Sequence, residues 1–112
     1  MKQINWNEFE QVDLRVGTIV DVQDFPGARK PAYKLTVDFG DEIGLKKSSA
    51  QITELYTKEN LINKQVIAVV NFPPKQIGPF ISECLITGFA NETGAIVLAV
   101  PDKKVPDGVK LM

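Results

Sequence analysis

Residues 33–39 read Tyr-Lys-Leu-Thr-Val-Asp-Phe, so that Tyr33, Leu35, Val37 and Phe39 fall on one side and Lys34, Thr36 and Asp38 on the other. A period of two is the mark of a strand with one buried face; a helix would scatter those four side chains around its axis. The same period governs residues 14–23, where Leu14, Val16, Val20 and Val22 point one way and Arg15, Gly17, Asp21 and Gln23 the other. Gly17 inside that strand is costly unless the strand bends sharply there or another backbone comes close.

The punctuation around these runs predicts further strands. Gly40-Asp41 is expected to turn the chain into a third strand over 42–47, with Ile43 and Leu45 inward, giving a hairpin. Val66-Ile67-Ala68-Val69-Val70 is apolar on both faces and suits a central strand. Residues 80–89 and 95–100 read as two more strands, joined by the polar turn Asn91-Glu92-Thr93-Gly94. Two helices are expected. Asn5 with Glu8 three residues later forms a capping box for a short N-terminal helix, on which Trp6 and Phe9 share a face. Ser48-Ser49-Ala50-Gln51 has the same form, and Ile52, Leu55 and Tyr56 follow at helical spacing. Three strands, a helix, then two strands is the order of an OB-fold, an all-β, five-stranded Greek-key barrel with its helix between strands 3 and 4.

At 112 residues the chain fits a single domain able to enclose one core. The barrel is expected over about 13–90, with 1–12 and 91–112 as extensions carrying the N-terminal helix and an extra C-terminal strand. The first residues lack the apolar run of a signal peptide, and no segment approaches the roughly 18 apolar residues of a membrane helix. A cytoplasmic protein without membrane insertion is therefore expected, and the lone Cys84 fits a reducing compartment.

The chain has no histidine, which removes the usual general base and the commonest transition-metal ligand together. No enzyme, metal or cofactor is expected. Asp38, Asp41 and Glu42 flank a turn without the ligand spacing of a calcium loop, and no Gly-rich phosphate loop occurs. Thirteen basic against fourteen acidic residues give a net charge of −1, far from the balance of a protein that wraps duplex DNA, so any nucleic-acid contact must be local.

Two segments stand apart from the core pattern. In Lys46-Lys47-Ser48-Ser49, two cations and two hydroxyls meet the expected helix start, which makes either an anion site or a plain cap with solvated lysines. Residues 71–80 carry three prolines with Phe72, Ile77 and Phe80. A loop stiffened in this way loses little entropy on binding and presents a patch for an unstacked base or an extended peptide, unless its apolar groups pack beneath it.

Asp13-Leu14-Arg15-Val16-Gly17 resembles the tRNA-binding domain family, OB-fold modules attached to some aminoacyl-tRNA synthetases or free-standing as dimers. Residues 43–52, Ile-Gly-Leu-Lys-Lys-Ser-Ser-Ala-Gln-Ile, together with Asn71-Phe72-Pro73-Pro74, resemble its CsaA branch of secretion-related chaperones. The resemblance implies a homodimer whose interface uses the extensions, with Trp6 and Phe9 in it. It also implies capture of unfolded or presecretory polypeptides in grooves near Phe72, Pro73, Ile77 and Phe80. Arg29, Lys30, Lys46 and Lys75 would line the rim, and Ser48, Gln51, Asn71 and Ser82 would supply polar contacts. The alternative it carries is tRNA on the same face. The tRNA-binding relatives have a Ser-x-Gly-Met type segment where this chain has Ser82-Glu83-Cys84-Leu85, and that departure predicts weaker RNA binding through crowding and charge repulsion.

Overall fold

The computed structural model describes all residues, 1–112. The N-terminal helix α1 (Trp6–Glu10) forms as its capping box predicts: the Glu8 N–H donates to Asn5 Oδ1 at 2.8 Å and the Asn5 N–H to Glu8 Oε1 at 3.1 Å. Strand β1 (Leu14–Asp24) then runs antiparallel to β2 (Tyr33–Asp38). A short helix α2 (Gly40–Ile43) leads into β3 (Leu45–Ala50), which pairs with β2. After helix α3 (Lys58–Leu61), β4 (Gln65–Val69) returns along the first half of β1. The hairpin β5 (Lys75–Ile77) and β6 (Phe80–Ser82) precedes β7 (Leu85–Ile86), which pairs with β4, and a second hairpin joins β8 (Gly88–Ala90) to β9 (Ile96–Leu98).

The five-stranded sheet has the order β3-β2-β1-β4-β7 and curls into a nearly closed antiparallel barrel, the OB-fold expected from the element order. Ile19, Leu35, Val37, Phe39, Leu61, Val66 and Ala68 fill it, each almost fully buried. The barrel curves because β1 changes partner along its length. Its first half lies on β4 and its second on β2, with a register shift between Ile19 and Asp21. Such a bulge inverts the alternation beyond it. Gly17 and Ile19 face the core ahead of the shift and Val22 packs against it beyond, while Val20 is exposed, against the expectation that Val20 and Val22 would share a face with Val16. At Gly17 it is side chains and not a neighbouring backbone that come close: a Cβ there would lie 2.6 Å from Val37 Cγ1 and 2.7 Å from Phe39 Cδ1, so its missing side chain makes room for two core residues.

Three further expectations are corrected. The strand over 42–47 begins only at Leu45, which is exposed and not inward, because Gly40 (φ +86°) opens a helical turn whose first N–H donates to Asp38 Oδ1 at 2.9 Å. No helix starts at Ser48. Ser48, Ser49 and Ala50 pair with Leu35, Lys34 and Tyr33, and ladder bonds to a strand already in place win over a local capping box. The connecting helix starts later, where Thr57 and Asn60 cap each other at 2.9 and 3.2 Å and bury Leu61. The single strand over 80–89 is broken into β6, β7 and β8, since Glu83 leaves the ladder to bond β3, and the Thr87 carbonyl accepts from Ala99 at 3.1 Å.

The C-terminal segment lies against β1, joined by Gly108 N–H to Val16 O at 2.7 Å and Leu111 N–H to Leu14 O at 2.8 Å, with one bridge between Arg15 and Lys110. Arg15 fixes this arrangement: its Nε donates to Asp13 at 2.6 Å and its Nη1 to the Gly108 carbonyl at 3.0 Å. The Asp13 hydrogen bond holds the Arg15 guanidinium above its ordinary pKa against a small opposing effect of burial.

Candidate polypeptide- or RNA-binding surface

The hairpin β5–β6 stands off the barrel beside the seam between β3 and β7. It exists because Gly78 (φ +59°) and Pro79 turn the chain between Ile77 and Phe80, which face each other in the ladder. Phe80 is half-buried against the ring of Phe25, centroids 5.5 Å apart, and Lys34 Nζ lies 5.7 Å from the Phe25 ring. These apolar groups thus pack partly beneath the loop. Phe72, in contrast, is 55% exposed.

Phe72 and Pro73 form one wall of a cleft of about 280 Å³ whose other members are Lys75, Ser82, Cys84 and Leu85. Four residues expected at the site, Phe72, Pro73, Lys75 and Ser82, therefore meet in one place. Leu85, half exposed, was absent from that expectation, as was Cys84. Reading 80–89 as one strand hides both, because their grouping depends on the break at Glu83.

The remaining candidates separate. Arg29 and Lys30 are exposed on the loop between β1 and β2, and Gln51 lines a different groove at the end of β3. Phe80 borders a shallow groove with Asp21, Gln23, Lys34, Thr36 and Lys47. Lys46 is half-buried on β3. Ser48 is 1% exposed, so the anion site expected at a helix start there is corrected to a buried strand position. The Asn71 amide is already engaged, donating to Gln11 O at 2.8 Å and accepting from the Asp13 N–H at 3.0 Å. Ser82 Oγ donates to the Cys84 carbonyl at 3.3 Å.

Cys84 is buried at the floor of the cleft, and burial, with a smaller push from the Glu83 charge, raises its thiol to about 12. At neutral pH it is a thiol and so a poor nucleophile. The Glu83 carboxylate is occupied as well, accepting the Lys47 N–H at 3.0 Å. What the cleft offers a ligand is apolar surface from Phe72, Pro73 and Leu85, one ammonium from Lys75 and one hydroxyl.

A family model described as "Putative tRNA binding domain" matches residues 14–110. The chain belongs to the tRNA-binding domain family. Within it, the CsaA chaperone protein from Picrophilus torridus is 55% identical, with a TM-score of 0.91 over 98% of this chain and 100% of that one. The chaperone CsaA from Bacillus anthracis is 46% identical, with a TM-score of 0.92 over 99% and 100%. These two set this member of the tRNA-binding domain family in its CsaA branch. The methionine–tRNA ligase of Pyrococcus furiosus is 36% identical over 111 residues, 99% of this chain, but the chain spans only 15% of that enzyme.

In this member of the family, the signature around residues 13–17 turns out to be architectural. Arg15 clips the C-terminal segment and Gly17 admits Val37 and Phe39. The exposed apolar cleft is built instead from residues between Phe72 and Leu85.

Proposed function

We propose that this protein is a chaperone-like binding module for unfolded polypeptides, presecretory chains among them, and that it performs no chemical step. One observation carries the reading: an open, mostly apolar cleft exposes Phe72 on a proline-stiffened loop beside Leu85 of β7, in a chain matched over nearly its whole length by the CsaA chaperones it resembles. Fixed, exposed aromatic and aliphatic groups suit segments that a folded protein would hide. Lys75 at the rim attracts acidic groups on the client.

The working unit is a homodimer. Trp6 and Phe9 pack against each other with ring centroids 5.3 Å apart and planes tilted by 53°, and border a hollow with Val12, Leu14, Leu111 and Met112. Trp6 is 63% exposed in the single chain, and a second copy would cover it. No helix is long and apolar enough to cross a membrane. We place the protein in the cytoplasm, where unfolded and presecretory chains are met.

The second reading, tRNA on the same face, is favoured by the family match and by Lys34 and Lys47 in the groove beside Phe80. Salt separates the two. Binding of the protein to reduced, unfolded polypeptide and to tRNA is measured side by side across a salt series. Capture by apolar burial changes little, whereas an RNA complex resting on phosphate contacts weakens steeply. Retention of tRNA alone would remove the chaperone reading.

A further inference from the structure

The two end strands of the sheet, β3 and β7, are held together beside the Phe72 cleft through Glu83 and have no ladder between them. Lys47 turns both main-chain groups away from β2, its carbonyl accepting the Glu83 N–H at 2.7 Å and its N–H donating to the Glu83 carboxylate at 3.0 Å. Main-chain direction alternates along a strand, so Ser49 faces the same way as Lys47, its carbonyl meeting only the Ser48 hydroxyl at a long 3.4 Å, and Gln51 follows just beyond the end of β3. Across the gap, Leu85 pairs with Val69 and the Thr87 N–H donates to Ile67, which turns the N–H and carbonyl of Ile86 away from β4. No ladder joins β3 to β7. Between them lies a groove of about 420 Å³ lined by Ser49, Gln51, Ile52, Leu85, Ile86 and Ile96 among others, none of the lining residues charged.

We propose that this groove takes an extended polypeptide segment by strand addition to the Ser49–Gln51 edge, with every second side chain of the segment entering the apolar lining. The inference rests on the polypeptide-binding reading above and says how a client is held. A free edge offers donors and acceptors at the spacing of another main chain, and an uncharged lining offers no cation to neutralise a phosphate. Leu85 lines both this groove and the Phe72 cleft, so the two lie side by side. Because main-chain bonds are common to all polypeptides, such a site binds clients of unrelated sequence.

The test uses a fluorescein-labelled peptide of alternating valine and serine and two versions of it, one N-methylated on every valine and one on every serine. Only one set of N–H groups faces the β3 edge in a strand complex. One version then loses about tenfold or more in affinity and the other about threefold or less. Equal loss in both, or none, overturns the proposal. The full chain carrying Ser49→Pro supplies an independent arm, since the Ser49 N–H lies outside the β2 ladder. This variant is expected to keep its far-ultraviolet spectrum and bind the parent peptide about threefold more weakly or worse. A change in oligomeric state with unchanged peptide affinity would assign the edge to a second copy and defeat the proposal. If unfolded polypeptide binds while both methylated peptides match the parent, strand addition fails and the chaperone reading stands; if neither unfolded polypeptide nor peptide binds, both fail.

Discussion

Glu83 meets Lys47 twice, through its N–H to the Lys47 carbonyl at 2.7 Å and through its carboxylate, which accepts the Lys47 N–H at 3.0 Å. A side chain here takes the place of the missing strand residue and closes the upper part of the seam between β3 and the β6–β7 segment. Glu83→Ala removes the carboxylate bond and leaves the Lys47 N–H to water. A loss of about 1 kcal/mol in unfolding free energy is expected, read from urea titration, with faster exchange of the Lys47 amide. An unchanged exchange rate would show that the carboxylate does not hold the seam.

Gly17 touches the core through its absence of a side chain. A methyl group there meets Val37 and Phe39 at under 3 Å, and both are fully buried with no room to retreat. Gly17→Ala should therefore cost about 1–3 kcal/mol by overpacking. Thermal unfolding measures it, and a Gly17→Ala protein as stable as the parent would mean that β1 shifts to make space.

The strands that alternate without interruption were legible in the sequence. β2 shows the cleanest case, with Tyr33, Leu35 and Val37 buried as its period demands. Where expectation failed, a tertiary bond outweighed a local pattern. Ser48-Ser49-Ala50-Gln51 satisfies a capping box, but β2 was already available to pair with it. The bulge between Ile19 and Asp21 has no local signal, because only the change of partner from β4 to β2 calls for it. The binding surface was half legible: prolines and exposed aromatics mark 71–80, while Cys84 and Leu85 join it only through the break that Glu83 makes.

Asn71, expected to meet ligand, instead spans the end of α1 and the start of β1 by bonding Gln11 and Asp13. Asn71→Ala should lower stability by about 1–2 kcal/mol through two lost hydrogen bonds and quicken amide exchange at Asp13. Polypeptide affinity per folded protein should stay near that of the parent. A large loss of affinity with unchanged stability would return Asn71 to the binding surface.

Phe72 makes the opposite case. It is more than half exposed and anchors the cleft, so Phe72→Ser should change unfolding free energy by no more than about 0.5 kcal/mol. Removing an apolar anchor from a binding surface should weaken capture of unfolded polypeptide by about tenfold or more. Fluorescence titration with a reduced, unfolded protein reads this, and unaltered capture would exclude Phe72 from the site.

Cys84 links the cleft floor to pH. Its thiol, raised to about 12 chiefly by burial, is neutral in the folded protein well beyond the pH at which the unfolded chain loses that proton. The folded state then binds more protons than the unfolded one over roughly pH 9–12, so this group's contribution to stability is whole below that window and is lost as pH rises through it. Urea midpoints should fall over that range in the parent and fall less in Cys84→Ala, which carries no titrating thiol. At pH 8, iodoacetamide should modify the native protein far more slowly than the urea-unfolded chain. Equal rates in the two states would mean that the thiol is open to the cleft, and the surface that Phe72 and Leu85 offer to a client would then have a reactive floor in place of an inert one.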